Sequence, residues 1–206
     1  MDMMDIVIPA GSGANMELPD PGLLNYFTDL ERRTIWIDFE IDSTLLEVSR
    51  KIIQWNYDDR DIKVDDRIPI FLMIFSPGGD LDATMHCVDI IRLSKTPVVT
   101  VNTGIAMSGG MNLLIAGHRR LCLPHARGMI HTGSGGLSGT FDQVSAAADD
   151  YKVQISEMKD YILTRTNIDP RTYSKKKNKD WYLNSAEMVK YGIVDEVVDD
   201  ISKIYM

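Results

Sequence analysis

Cysteine is scarce in this chain. The two present in 206 residues, Cys87 and Cys122, stand far apart, and neither belongs to a C-x-x-C pair. That spacing offers neither a disulfide framework nor a zinc site. Both lie in apolar stretches and read as buried free thiols in a reducing compartment. Positive charge is also short. Lysine and arginine total 22 against 30 acidic residues, a net charge of −8, which argues against non-specific nucleic-acid binding. No apolar run approaches the roughly 20 residues that span a bilayer. The N-terminal MDMMDIVIPA begins with acids and lacks the basic start and apolar core of a secretory signal. The expectation is a cytoplasmic protein with no membrane partner. The phosphate loop G-x-x-x-x-G-K-[ST] is missing too, so no ATP site is expected. Neither a metal nor a cofactor is expected.

What is present suits one globular domain. The apolar fraction is 44% and the charged fraction 25%, and the length allows a substantial core. Residues 1–22, rich in Gly, Pro, Asp and Asn, read as a mobile arm ahead of a domain at 23–206. Helices are expected over 23–33 and 43–55, and another after the turn SPGG (76–79). TIWIDFEI places Ile35, Ile37 and Phe39 on one face of a strand. The wholly apolar IPIFLMIF (68–75) and PVVTV (97–101) read as strands inside a covered sheet. LCLP and RGMIH supply two short strands, and a helix at 185–191 precedes the strand IVDEVV. Asn184 with Glu187 forms a capping box at the start of that helix, and Gly192 is a good stop. Strands alternating with helices argue for an α/β fold.

One segment differs. From Thr140 to about Thr166 the chain reads as a single long helix opened by a Thr140–Gln143 capping box. Phe141, Val144, Ala148, Tyr151, Ile155, Met158 and Ile162 recur at steps of three and four, a narrow seam suited to helix-to-helix contact between subunits. A helix lying on its own core usually shows a wider stripe.

The chemistry-bearing residues sit at strand ends. In GIAMSGGM (104–111), Ser108 falls between a strand and a helix. Free N–H groups and the positive end of the helix dipole gather there, and they favour developing negative charge. The same position suits an ordinary N-cap serine, and the match to a G-x-S-x-G elbow lacks its first glycine. Of four histidines, His86 lies within a helix, and His118 and His125 sit among arginines and read as solvated. His131 ends the strand GMI beside the glycine-rich TGSGGLSG and is placed to face a cleft. SPGG offers Gly78 and Gly79, whose backbone can aim N–H groups into a site, or simply a Pro-Gly turn.

Taken together, from about Leu23 to Val198, these segments resemble the ClpP family, the proteolytic subunits of the Clp protease. FSPGGDLDATM resembles the family's oxyanion-hole segment, with Gly79 as one donor. GIAMSGGMNLLIAG resembles the nucleophile segment, LCLPHARGMIH the histidine segment and KDWYLNSAEMVKYGIVDEV the aspartate segment. The resemblance implies Ser108 as nucleophile, His131 as base and Asp180 as the residue orienting the imidazole. Gly79 and Gly109 would be the oxyanion donors. It also implies a crotonase-like fold of repeated ββα units, with the long helix as a protruding handle (about 132–166). Gly135, Gly136 and Gly139 would lie in a strand that pairs with substrate backbone. As partners it implies further copies of the chain in two stacked heptameric rings, a separate ATP-driven unfoldase of the Clp ATPase type, and unfolded polypeptides as substrates.

Several positions depart from the family pattern. Gly109 and Gly133 stand where methionine and proline are frequent, which predicts a looser oxyanion hole and a looser segment after His131. Asn178 and Lys179 replace an acid and an arginine that join the rings. Lysine lacks arginine's planar fork, which predicts a weaker double ring. Two other readings stay open: a ring subunit that does not turn over, and an acyl-CoA enzyme of the crotonase type, which would not need the Ser108, His131 and Asp180 set.

Overall fold

The computed structural model describes residues 20–176 and 179–206. The first described residues already belong to a helix, α1 (Pro21–Glu31), where the end of an arm was expected. Asp20 caps it by accepting from the Gly22 N–H, and Pro21 stands in the first turn, where its missing N–H costs nothing. Residues 1–19 of the expected arm, and Asn178, lie outside the described residues.

The sheet begins with β1 (Thr34–Ile37), β2 (Ile70–Ser76) and β3 (Val98–Met107), all parallel. Along β2 the side chains alternate. Ile70, Leu72 and Ile74 enter the larger core, and Phe71 and Met73 a smaller one on the opposite face, as the period-2 geometry of a strand requires. The larger core lies under α2 (Leu45–Asp58), α3 (Leu81–Leu93) and α4 (Gly109–Ala116). The smaller core is closed by Val198 and Ile204 near the C-terminus. Ile35 and Phe39 pack on the larger core beside buried Ile37, so the face expected of TIWIDFEI is the inward one, although Ile53 of α2 and Phe75 of β2 point outward.

β3 is longer than the run PVVTV suggests. Gly104 reads as a strand end, yet the strand continues through it, with the Phe75 ring lying directly against the glycine. A Cβ there would stand 2.4 Å from the ring, a close approach that only glycine allows. The two halves of β3 then take different partners. Its first half pairs with β4 (Arg119–Cys122), which pairs onward with β7 (Glu196–Val197). Its second half pairs with β5 (Arg127–Ile130), and β5 pairs antiparallel with β6 (Trp181–Asn184). His118 is exposed, as expected, and its Nδ1 accepts the Val98 N–H at 3.0 Å where β3 begins. Cys87 and Cys122 are buried, and burial raises each thiol to about 11.

The long helix α5 (Phe141–Arg165) carries the expected capping box, both halves of it formed. Its seam is split. Met158 and Ile162 are buried in the chain's own core, whereas Phe141 at the far end is 86% exposed. The base of α5 is tied to α4. The Tyr161 hydroxyl donates to the Asn112 carbonyl at 2.9 Å, and Arg165 donates to the carbonyls of Ile115 and Gly117. After α6 (Pro170–Lys176) and β6, α7 (Ser185–Lys190) starts on the Asn184–Glu187 box, and the chain then turns at Gly192, φ +64°.

Candidate active site

Strand register alone brings the chemistry together. Met107, the last residue of β3, pairs with Met129 of β5, and the Ser108 N–H donates to the Met129 carbonyl at 3.0 Å. Ser108 and His131 therefore leave two adjacent parallel strands at the same level. Ile130 pairs with Trp181 across the antiparallel β5–β6 ladder, which sets Asp180 opposite His131. On the other side, β2 ends at Ser76 beside Ala106, and the SPGG turn folds over the start of α4. Four segments that are distant in sequence thus converge at one end of the sheet.

Ser108 occupies the N-cap position of α4 but caps nothing, since its side chain makes no bond to the helix N–H groups. Its hydroxyl lies 2.7 Å from His131 Nε2. Its backbone, at φ 52° and ψ −119°, is in a region that non-glycine residues avoid and that recurs where strain serves a site. Its side chain thus partners the imidazole and not the helix. His131 Nδ1 stands 3.7 Å from Asp180 Oδ1, and the Asp180 side chain is 54% exposed. This third contact is an ion-pair distance and longer than a hydrogen bond. The Tyr182 hydroxyl approaches the other Asp180 oxygen at 3.5 Å.

The glycine turn is seated by backbone. The Ile41 N–H donates to Gly78 O at 2.7 Å and the Asp80 N–H to Ile41 O at 2.8 Å. Gly78, φ +95°, lies against Ser108: a Cβ there would be 2.7 Å from Ser108 Cβ and 2.8 Å from Gly109 N. A Cβ on Gly79, φ +150°, would meet Ile41 O at 2.1 Å. Neither position tolerates a side chain. The Gly109 N–H opens α4, where the first N–H groups lack helical acceptors, and the dipole of α4 favours an anion at that end.

Gly109 is buried. A Cβ on it would stand 2.5 Å from Thr84 Oγ1 and 3.1 Å from Ile41 Cδ1, so neighbours occupy the space a larger residue would need. Gly133 takes φ +89° and lies against Tyr151, whose hydroxyl would be 2.5 Å from an added Cβ. Proline, fixed near φ −65°, does not fit this bend. Gly135 and Gly136 are exposed with open space around them, and Gly139 packs against Gln143 at the start of α5. Residues 132–138 pair with no strand among the described residues. Lys179 lies exposed in the turn before Asp180.

Ser108, His131, Gly79 and Gly109 line one cleft of about 760 Å³. Its apolar wall comes from Met111 and from Ile155, Met158 and Ile162 of α5. Sequence reasoning assigned the α5 residues to a helix seam only, and did not single out Tyr151 or Thr84 for the site. The tight glycines were the available signal, but the partner against which each is tight lies elsewhere in the chain. Among the described residues no group of three or more His, Cys, Asp or Glu could hold a metal ion, and no helix is long and apolar enough to cross a membrane.

This fold and grouping define an α/β protein with a cleft in which a hydroxyl and an imidazole meet beside helix N-termini. The comparisons narrow the class. The family model described as Clp protease matches residues 28–200. A proteolytic subunit 2 of the ATP-dependent Clp protease from Corynebacterium diphtheriae is 30% identical over 202 residues, covering 96% of each chain. Its namesake from Treponema pallidum is 28% identical over 82% of this chain and 84% of its own. A solved structure of a ClpP1 point mutant from Listeria monocytogenes superposes with a TM-score of 0.73 at 25% identity, covering 88% of this chain and 99% of that one. The chain belongs to the Clp protease family, a family of peptidases, and its fold is the crotonase-like one expected from the sequence.

Proposed function

We propose that this chain is the proteolytic subunit of a Clp protease and a serine endopeptidase. The 2.7 Å contact between Ser108 Oγ and His131 Nε2, made by a serine in a strained backbone that forgoes capping, carries the reading. Ser108 Oγ attacks the peptide carbonyl carbon as its proton passes to His131 Nε2. The carbonyl oxygen becomes an oxyanion facing the N–H groups of Gly79 and Gly109. The C–N bond then breaks, and His131 returns the proton to the leaving amine. Water, deprotonated by the same imidazole, hydrolyses the acyl-enzyme and regenerates Ser108. Asp180 holds the imidazole once it closes the remaining gap. The unpaired residues 132–138, with Gly135, Gly136 and Gly139, offer backbone to an extended peptide by strand addition.

The same reading makes further copies of the chain its first partners, in heptameric rings stacked through α5, with a separate ATPase delivering unfolded chains in the cytoplasm. The open His131–Asp180 contact favours one alternative, a ring subunit that does not turn over. A fluorophosphonate probe separates the two. Labelling at Ser108, lost in Ser108→Ala and sharply slowed in His131→Ala, is expected of the peptidase. An assembled oligomer that takes no label at Ser108 would establish the inactive subunit instead.

A further inference from the structure

The two oxyanion donors come from different helix starts. Gly79 precedes α3 and Gly109 opens α4, so something must fix the distance between them. One side chain bonds the residue after Gly79 and touches Gly109 itself. Thr84, fully buried in the first turns of α3, donates its hydroxyl to the Asp80 carbonyl at 2.6 Å, and that carbonyl also accepts the Thr84 N–H at 3.1 Å. Asp80 directly follows Gly79, and its own N–H is held by Ile41 O at 2.8 Å. The other side of Thr84 is pressed on Gly109: a Cβ added there would lie 2.5 Å from Thr84 Oγ1 and 3.4 Å from its Cγ2.

We infer that Thr84 is a positioning residue for the oxyanion hole, a spacer that holds the N–H groups of Gly79 and Gly109 at a common focus. The inference rests on the peptidase reading above. A buried helical threonine returning its hydroxyl to the carbonyl four residues back is common. Here that carbonyl belongs to the residue after one donor, and the same oxygen abuts the other donor. Gly109 and Thr84 divide one volume between them, so a side chain at one position requires its loss at the other. A donor displaced by a fraction of an ångström still binds substrate but stabilises the oxyanion less, so the effect belongs in kcat and not in KM.

The test uses the full chain, a short fluorogenic peptide, a peptide boronate that forms a tetrahedral anionic adduct on the serine, and melting temperature. Thr84→Val keeps the shape and deletes the hydroxyl. It is expected to lower kcat and boronate affinity together by about 10-fold, with KM little changed, less than the 10²–10³-fold typical for loss of a whole donor. Thr84→Ser, which keeps the hydroxyl, should recover most of both. Gly109→Ala should lower kcat about 100-fold, and adding Thr84→Ala should restore at least about 10-fold of that, a coupling that independent sites do not show. Thr84→Val with unchanged kcat and boronate affinity overturns the inference, whatever its melting temperature. So does a Gly109→Ala loss that Thr84→Ala leaves in place. In either case the peptidase reading survives. A wild-type protein that neither cleaves peptide nor takes fluorophosphonate at Ser108 overturns that reading, and the role of Thr84 with it.

Discussion

Side-chain roles in the cleft rank by how directly each group meets the reacting atoms. On the proposed mechanism Ser108 and His131 act as one unit, and Ser108→Ala and His131→Ala are each expected to cut kcat by about 10⁶. In that mechanism Asp180 acts through the imidazole, so Asp180→Asn should cost less, about 10⁴, with KM little changed in steady-state peptide assays. That expectation requires the 3.7 Å gap at Asp180 to close on binding, as catalytic contacts that are long before substrate is bound often do. An Asp180→Asn enzyme as active as wild type would show that the carboxylate takes no part. Gly133 has a sharper requirement. Its φ of +89° is closed to proline, so Gly133→Pro must rebuild the bend that follows His131. Loss of peptidase activity with little change in melting temperature is expected, although proline is frequent at this position in the family. The departure is matched locally by Tyr151, whose hydroxyl fills the space beside the glycine.

At the level of elements, α5 was the most legible part of the chain, and the reasons are physical. Its seam is regular, and its capping box is written into four consecutive residues, Thr140 to Gln143. The apolar run of β2 was equally plain. β6 was not: four residues, WYLN, give too little alternation, and its partner β5 lies some fifty residues earlier. The short α6 was missed although Asp169, before Pro170, accepts the N–H groups of Arg171 and Thr172. The individual site residues could be named from motifs, but the register that joins them could not. Pairing of Met107 with Met129 depends on β3 running past Gly104, where motif reading places a strand end. The split of the α5 seam was hidden as well, since spacing does not say where a helix leaves its own core. The split yields a prediction. Met158→Ala removes a buried side chain and should cost about 3 kcal/mol of stability by denaturant unfolding. Phe141→Glu at the exposed end should leave that stability unchanged and shift sedimentation toward smaller assemblies. Equal effects of the two variants on unfolding would count against the division.

Across the whole molecule, one buried carboxylate joins parts of the chain that the sheet alone does not tie. Asp59, at the end of α2, pairs with Arg33 at the entry to β1 through two hydrogen bonds of 2.5 and 2.7 Å. It also accepts the Thr96 hydroxyl at 2.8 Å from the turn before β3, and Arg67 reaches Thr96 from the loop before β2. The approaches to three successive parallel strands therefore meet at a side chain only 2% exposed. Hydrogen bonding from Arg33, aided by Thr96, holds the Asp59 carboxyl below its ordinary value of 3.8 against the opposing effect of burial. A carboxyl whose pKa is lower folded than unfolded contributes stability above the unfolded value, and the contribution disappears as pH falls through the folded one. Thermal unfolding of the wild type should therefore lose stability steeply below about pH 4. Asp59→Asn leaves the half-buried Arg33 without its counter-charge and should cost about 3 kcal/mol at pH 7. Its stability should then vary less with pH in the acid range, because the group that titrates there is gone. A variant with wild-type stability at neutral pH, or with an equally steep acid limb, would show that these strand approaches are held by packing alone.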